Sequence, residues 1–305
     1  MNTQSNAMPD RFDSQGIAPA VMSATWPLYW SVRCELWENR FLYIAPLAVA
    51  GVTLFGYLIA SMGYAMSLTN LAQRRAALQD PFDFAAGAMM ATMILITVFY
   101  CADALYGERR DRSILFWKSL PVSDLTAVLA KASIPFVVLP LLTFAITVVL
   151  QFIMLLLSSA ALLASGMNVA TLWTQLSVVR MWLLLLYHLF TAHTLWPAPV
   201  YCWLLLVSGW SRRATLLWAA LPVVAIAGVE KLVFQSSRFA ALVGTRFIGA
   251  TPSIASTAPD TFPTDPMTHI TPGTFLSTPG LWIGLVIAAG FLAAAVRMRR
   301  YQGPM

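Results

Sequence analysis

Three lysines (Lys118, Lys131, Lys231), three histidines (His188, His193, His269) and three cysteines (Cys34, Cys101, Cys202) bound the chemistry open to this chain. No lysine follows a glycine, so the phosphate-gripping G-x-x-x-x-G-K-[ST] loop is absent, and any use of ATP belongs to another polypeptide. His188 and His193 stand five apart, which does not place them on one helical face, and H-E-x-x-H is absent. Their expected role is polar packing between helices or the lining of a wet cavity. Asp260, Asp265 and His269 lie among Pro and Thr in a segment read as flexible, so no metal site is expected. The cysteines sit in or beside apolar helices without metal spacing and read as unpaired small apolar residues. No catalytic residue is assigned.

A second set of residues is notable for its surroundings. Asp103, Glu230 and Lys231 lie within apolar stretches, where an ionisable side chain is a functional candidate by default. Asp103 stands one turn before a charged loop and is expected to pair with Arg109 or Arg110. Glu230 and Lys231 stand near the end of an apolar helix, where both can reach water by snorkelling. A proton-coupled role for Glu230 is the sharper alternative.

The elements that hold these residues follow from composition. Of 305 residues, 59% are hydrophobic and 10% charged, against about 25% charged in soluble domains. The apolar residues gather in runs near or above the length that spans a bilayer. The fold class is therefore an all-α polytopic membrane protein, read here with six transmembrane helices. Residues 1–25 read as a disordered tail, for they carry Asp10 and Asp13 and lack the apolar core of a signal peptide. Residues 26–300 form a single six-span domain. Trp26, Trp30, Trp37 and Phe41 recur along 26–40 at helical spacing, the pattern of a helix lying in the membrane interface; the alternative is the wet start of the first span. Spans are expected at about 41–61, 84–105, 132–157, 181–207, 215–234 and 280–296. Arg74, Arg75, Asp80, Pro81 and Asp83 mark a loop between the first two. Pro135 and Pro140 bend the third span, and Pro197 and Pro199 interrupt the fourth. An outer loop covers 235–279.

Orientation follows from Lys and Arg. With the N-terminus inside, 13 of the 19 basic residues fall on the cytoplasmic side. The other six are Arg74, Arg75, Arg180, Lys231, Arg238 and Arg246. Both termini are therefore expected in the cytoplasm. The net charge of +6 is explained by this bias and does not argue for nucleic acid.

The segment 106–131, YGERRDRSILFWKSLPVSDLTAVLAK, is the longest charged break between apolar blocks. Within it, Asp111 to Ser119 reads as a short helix with Asp111 as its cap. Pro121 disfavours its continuation, and Ser123 with Asp124 caps the next helix. Arg109, Arg112 and Phe116 can form one face, with Ile114 and Trp117 on another. A short, basic, aromatic helix at a membrane surface is a handle for another protein, although Phe116 and Trp117 also suit anchoring in the headgroups.

This segment, together with LYWSVRCELWENR (28–40) and WPAPVYCWLLLVSGWSRRATLLWAALPVVAIAGVEKLVF (196–234), resembles the membrane-spanning subunits of bacterial ABC transporters of the type-2, exporter-like class. The resemblance implies a permease that dimerises with a second permease subunit, identical or different, in the bacterial inner membrane. Each subunit binds a cytoplasmic ABC ATPase, which holds ATP and Mg; this chain carries no cofactor of its own. The resemblance makes 26–40 similar to the family's elbow helix and the helix in 106–131 similar to its coupling helix. It implies that Glu108, Arg109, Arg110, Asp111, Arg112, Ile114, Phe116, Trp117 and Lys118 contact the ATPase. Arg212 and Arg213 would lie in a second, shorter cytoplasmic loop. The substrate class suited to spans with few buried charges is hydrophobic or amphipathic. The alternative function is a stand-alone ion-coupled secondary transporter using Asp103 and Glu230.

Overall fold

A backbone that leaves water must satisfy its own polar groups, and a chain this apolar does so as helices. The computed structural model describes residues 25–61, 71–112, 123–164, 178–248 and 272–301, and no strand occurs among them. The chain runs α1 (Thr25–Glu38), α2 (Phe41–Ser61) and α3 (Leu71–Arg110). It continues as α4 (Asp124–Ser133), a π-helical turn at Ile134–Val138, and α5 (Leu139–Ala164). Then come α6 (Val178–Phe190), a second π-helical turn at Thr191–Leu195, and α7 (Ala198–Trp210). The last elements are α8 (Thr215–Phe234), α9 (Arg238–Ile248), α10 (Pro272–Ser277) and α11 (Pro279–Tyr301).

Among the described residues, six stretches are long and apolar enough to cross a membrane: Phe41–Ile59, Asp80–Arg110, Asp124–Ala160, Val178–Leu195, Thr215–Phe234 and Pro279–Tyr301. This is the architecture of a multi-pass membrane protein, and it matches the six expected spans in number and order. Pro135 and Pro197 fall at irregularities of the helices, whereas Pro140 lies in the first turn of α5. Pro135 lies in the first π-helical turn, and the helix resumes at Leu139. The second π-helical turn runs into Trp196 and Pro197, and α7 restarts with Pro199 in its first turn. Ser123 caps α4, its hydroxyl accepting the Thr126 N–H at 3.1 Å.

Three boundaries differ from expectation. The loop carrying Arg74, Arg75, Asp80, Pro81 and Asp83 belongs to α3 from Leu71 onward. Ala, Leu, Gln and Arg in 71–79 are strong helix formers, and a single proline does not outweigh them. The charged break 106–131 is shorter than its charges suggest, because α3 stays helical to Arg110 and α4 starts at Asp124. The outer loop 235–279 contains two helices, α9 and α10.

Helix α7 is the hub, packed against α3 on one side and α11 on another. Small side chains allow the approach: Ala198 and Cys202 of α7 meet Ala288 of α11. Gly209 faces Leu105 of α3, whose Cδ1 would lie 3.4 Å from an added Cβ. The largest buried cluster joins α2, α3, the first π-helical turn, α6 and α7 through Leu42, Met93, Tyr100, Ile134, Leu185 and Tyr201. Helices α2 and α8 are the least buried of the six spans.

Candidate functional site

The most concentrated chemistry gathers at one end of the helices, where α1, α3, α4, α7 and α11 meet. Helix α1 puts Trp30, Trp37 and, beyond its end, Phe41 on the exposed side, and so turns Ser31 and Glu35 inward. Glu35 is 3% exposed. Its carboxylate accepts from Lys131 Nζ of α4, from Tyr100 Oη of α3 at 2.9 Å, and from Asn39 Nδ2 at 3.4 Å. Lys131 also pairs with Glu108 of α3 at 3.2 Å. Glu108 pairs in turn with Arg299 of α11, which reaches Asp124 Oδ1 of α4 at 3.3 Å. The result is one chain of charge, Glu35–Lys131–Glu108–Arg299–Asp124, with all but Asp124 buried.

Local structure favours each member. Asp124 sits in the first turn of α4, and Arg299 in the last turn of α11, so each charge complements its helix dipole. Lys131 holds two carboxylates at once, and Glu108 holds two cations. Buried ions persist when paired and hydrogen-bonded in this way. Beside the chain, Arg109 donates to the carbonyls of Gly209 and Ser211, closing the C-terminal end of α7. Nothing in this arrangement is a nucleophile with a base. It is a clasp that fixes four helix ends, and through Arg109 a fifth, as one block.

The residues expected to contact a partner divide into three groups. Glu108 and Arg109 are turned inward, 7% and 6% exposed, and serve the clasp and the end of α7. Within this chain both make internal ties. Arg110, Asp111 and Arg112 are exposed. Arg110 pairs with Asp111 at 3.1 Å and lies over the Tyr106 ring, and Arg112 adopts a left-handed conformation with φ of 59°. Ile114, Phe116, Trp117 and Lys118 lie outside the described residues. Arg212 and Arg213 are exposed in the turn between α7 and α8. Arg109 bonds to Ser211, next in the chain, so this turn is tied to the same corner as Arg110 and Arg112.

The remaining candidates are scattered. Asp103 is exposed and lies over Gly107, 3.3 Å from where a Cβ would stand. Of the two arginines expected to pair with it, Arg109 serves the end of α7, while Arg110 makes its ion pair with Asp111 and remains within electrostatic reach of Asp103. His188 is buried and its Nδ1 bonds Leu184 O at 3.0 Å, while Tyr201 Oη donates to His193 O at 3.0 Å. Glu230 has a clear structural task. It accepts from Ser236 Oγ at 2.6 Å, Arg238 N at 2.9 Å and Phe239 N at 2.8 Å, capping α9 from the end of α8. Lys231 is exposed in the last turn of α8. Among the described residues no three His, Cys, Asp or Glu side chains come together as metal ligands. Asp260, Asp265 and His269 lie outside the described residues.

Read from sequence, Glu35 and Arg299 have no assigned role, and Lys131 is placed only within the charged segment 106–131. The available signal is the helical spacing that sets Glu35 opposite Trp30 and Trp37. Comparisons with family models, with curated proteins and with solved structures find no match to this chain.

Proposed function

We propose that the chain is the membrane-spanning subunit of an ATP-driven export permease of the type-2 class. On this reading it moves a hydrophobic or amphipathic substrate across or out of the bacterial inner membrane. It pairs with a second permease subunit, and a separate ATPase binds ATP and Mg. Both termini lie in the cytoplasm. The observation that carries the reading is the clasp. A push delivered at 113–122 enters α3 through Arg110 and α4 through Ser123, and both helices are locked by Glu108 and Lys131 to α1 and α11. A force applied there moves the block as a unit, which is what rigid-body coupling needs. The exposed residues Arg110, Asp111, Arg112, Arg212 and Arg213 lie at the same corner as the clasp. The ion-coupled alternative loses its main support, because Glu230 is engaged by three donors of its own chain.

The test is gentle extraction by an affinity tag and identification of what accompanies the protein. A stoichiometric soluble ATPase, lost on Phe116→Asp with Trp117→Asp while membrane insertion is kept, is the expected result. Wild-type ATPase stimulation by that double variant would refute the reading.

A further inference from the structure

Far from the clasp, α3, α7, α8, α9 and α11 enclose a cavity of about 490 Å³. That is within the range of about 300–1,000 Å³ typical of small-molecule sites. Its wall is apolar, including Trp203, Leu204, Val223, Ile287 and Phe291, and among the described residues Arg246 is the only charged one lining it. Helix α9 forms one side. Phe239, Leu242, Val243 and Arg246 all line the space, and their spacing of three, four and seven is one helical face. The cavity is not sealed, since Leu216, Val224, Ile226, Leu242 and Ile287 on its border are exposed. In a membrane protein these flanks face acyl chains.

Arg246 is held in place. Its guanidinium lies 4.1 Å from the Trp196 ring centroid and donates to Trp196 O at 2.9 Å and Gly280 O at 2.5 Å. Trp196 Nε1 returns a bond to Thr245 O at 3.0 Å. Gly284 makes room, for a Cβ there would lie 2.6 Å from Arg246 Nη1. Gly280 is the second residue of α11, so the guanidinium stands at the end of a membrane span, the depth of a headgroup. Among the described residues, two of its five N–H groups serve these carbonyls, and the others remain as donors for an anion. Burial lowers its proton affinity from the ordinary value, the signature of a cation short of water.

The geometry points to a binding site for one anionic phospholipid of the bilayer, with an acyl chain in the cavity and its phosphate on Arg246. Cation and apolar wall match the two ends of such a molecule. The open flank between α8 and α11 gives it a lateral entry, and guanidinium suits phosphate. The site is separate from the clasp and stands whether or not an ATPase partner exists.

The test uses the full chain in nanodiscs of mixed phosphatidylglycerol and phosphatidylcholine, with retained lipid read by native mass spectrometry. The wild type is expected to retain one phosphatidylglycerol in preference to phosphatidylcholine by about tenfold, the worth of one charge-assisted contact. Arg246→Gln should remove the preference, and Ala220→Trp, which fills the cavity from α8, should remove the retained lipid. A second measurement needs no variant. Phosphatidylglycerol with a photoreactive acyl chain should crosslink wild-type protein at Trp203, Val223 and Ile287. Retention unchanged in both variants, crosslinks spread evenly over α2, or displacement by equimolar palmitate would each overturn the proposal.

Discussion

Lys131 shows how a single residue can hold an architecture. It is 3% exposed and touches carboxylates from two other helices. Removing one partner of a buried pair strands the other, which costs about 3–5 kcal/mol. Lys131→Met is therefore expected to lower thermal stability sharply, leaving Glu35 and Glu108 with one cation between them. Glu35→Gln in the same chain should recover part of the loss, because the stranded charge is gone. A double-mutant cycle of melting temperatures in detergent reads this as non-additivity, and strict additivity would show that the two groups do not interact. The exposed Arg110–Asp111 pair is the contrast: solvent screens it, and Asp111→Asn should leave the melting temperature unchanged.

At the scale of elements, the junction of α8 and α9 depends on a carboxylate from outside the helix it caps. Glu230 satisfies two N–H groups of α9 that have no intrahelical partner, while Gln235 makes the turn with φ of 50°. Glu230→Ala is expected to let the first turn of α9 fray. The readout is amide hydrogen exchange, faster by several-fold at Arg238 and Phe239 and unchanged in α7. Glu230→Gln should be milder, since one amide oxygen still accepts. If Glu230 instead carried protons, both variants would abolish transport with the α9 amides as protected as in the wild type.

The whole molecule has two unlike ends. The clasp and the exposed arginines Arg110, Arg112, Arg212, Arg213 and Arg300 lie at one. Helix α9 and Arg246 lie at the other, where α8 ends and α11 begins. In a background with its three cysteines replaced, Lys231→Cys and Tyr301→Cys are expected to react on opposite sides of the membrane. A membrane-impermeant maleimide should label the first in intact cells and the second only after lysis. Labelling of only the second in intact cells would reverse the orientation, and labelling of both would break the six-span layout.

The sequence by itself determined the class of molecule, the number and order of spans, the helix irregularities at Pro135 and Pro197, and the Ser123 cap. These depend on local quantities: run length, helix propensity, and the missing N–H of proline. Tertiary structure alone decided which charges are solvated. Glu108 and Lys131 read as loop residues because an isolated charge avoids an apolar interior. They are helical and buried because each found a partner, as did Glu35 and Arg299, at separations of 96 residues for Lys131–Glu35 and 191 for Arg299–Glu108. The same holds for Arg246, which read as a stray basic residue in an outer loop until the fold set Trp196 and Gly280 beside it. Pairing cancels the desolvation penalty that charge alone signals, and pairing over such distances is a property of the packed helices.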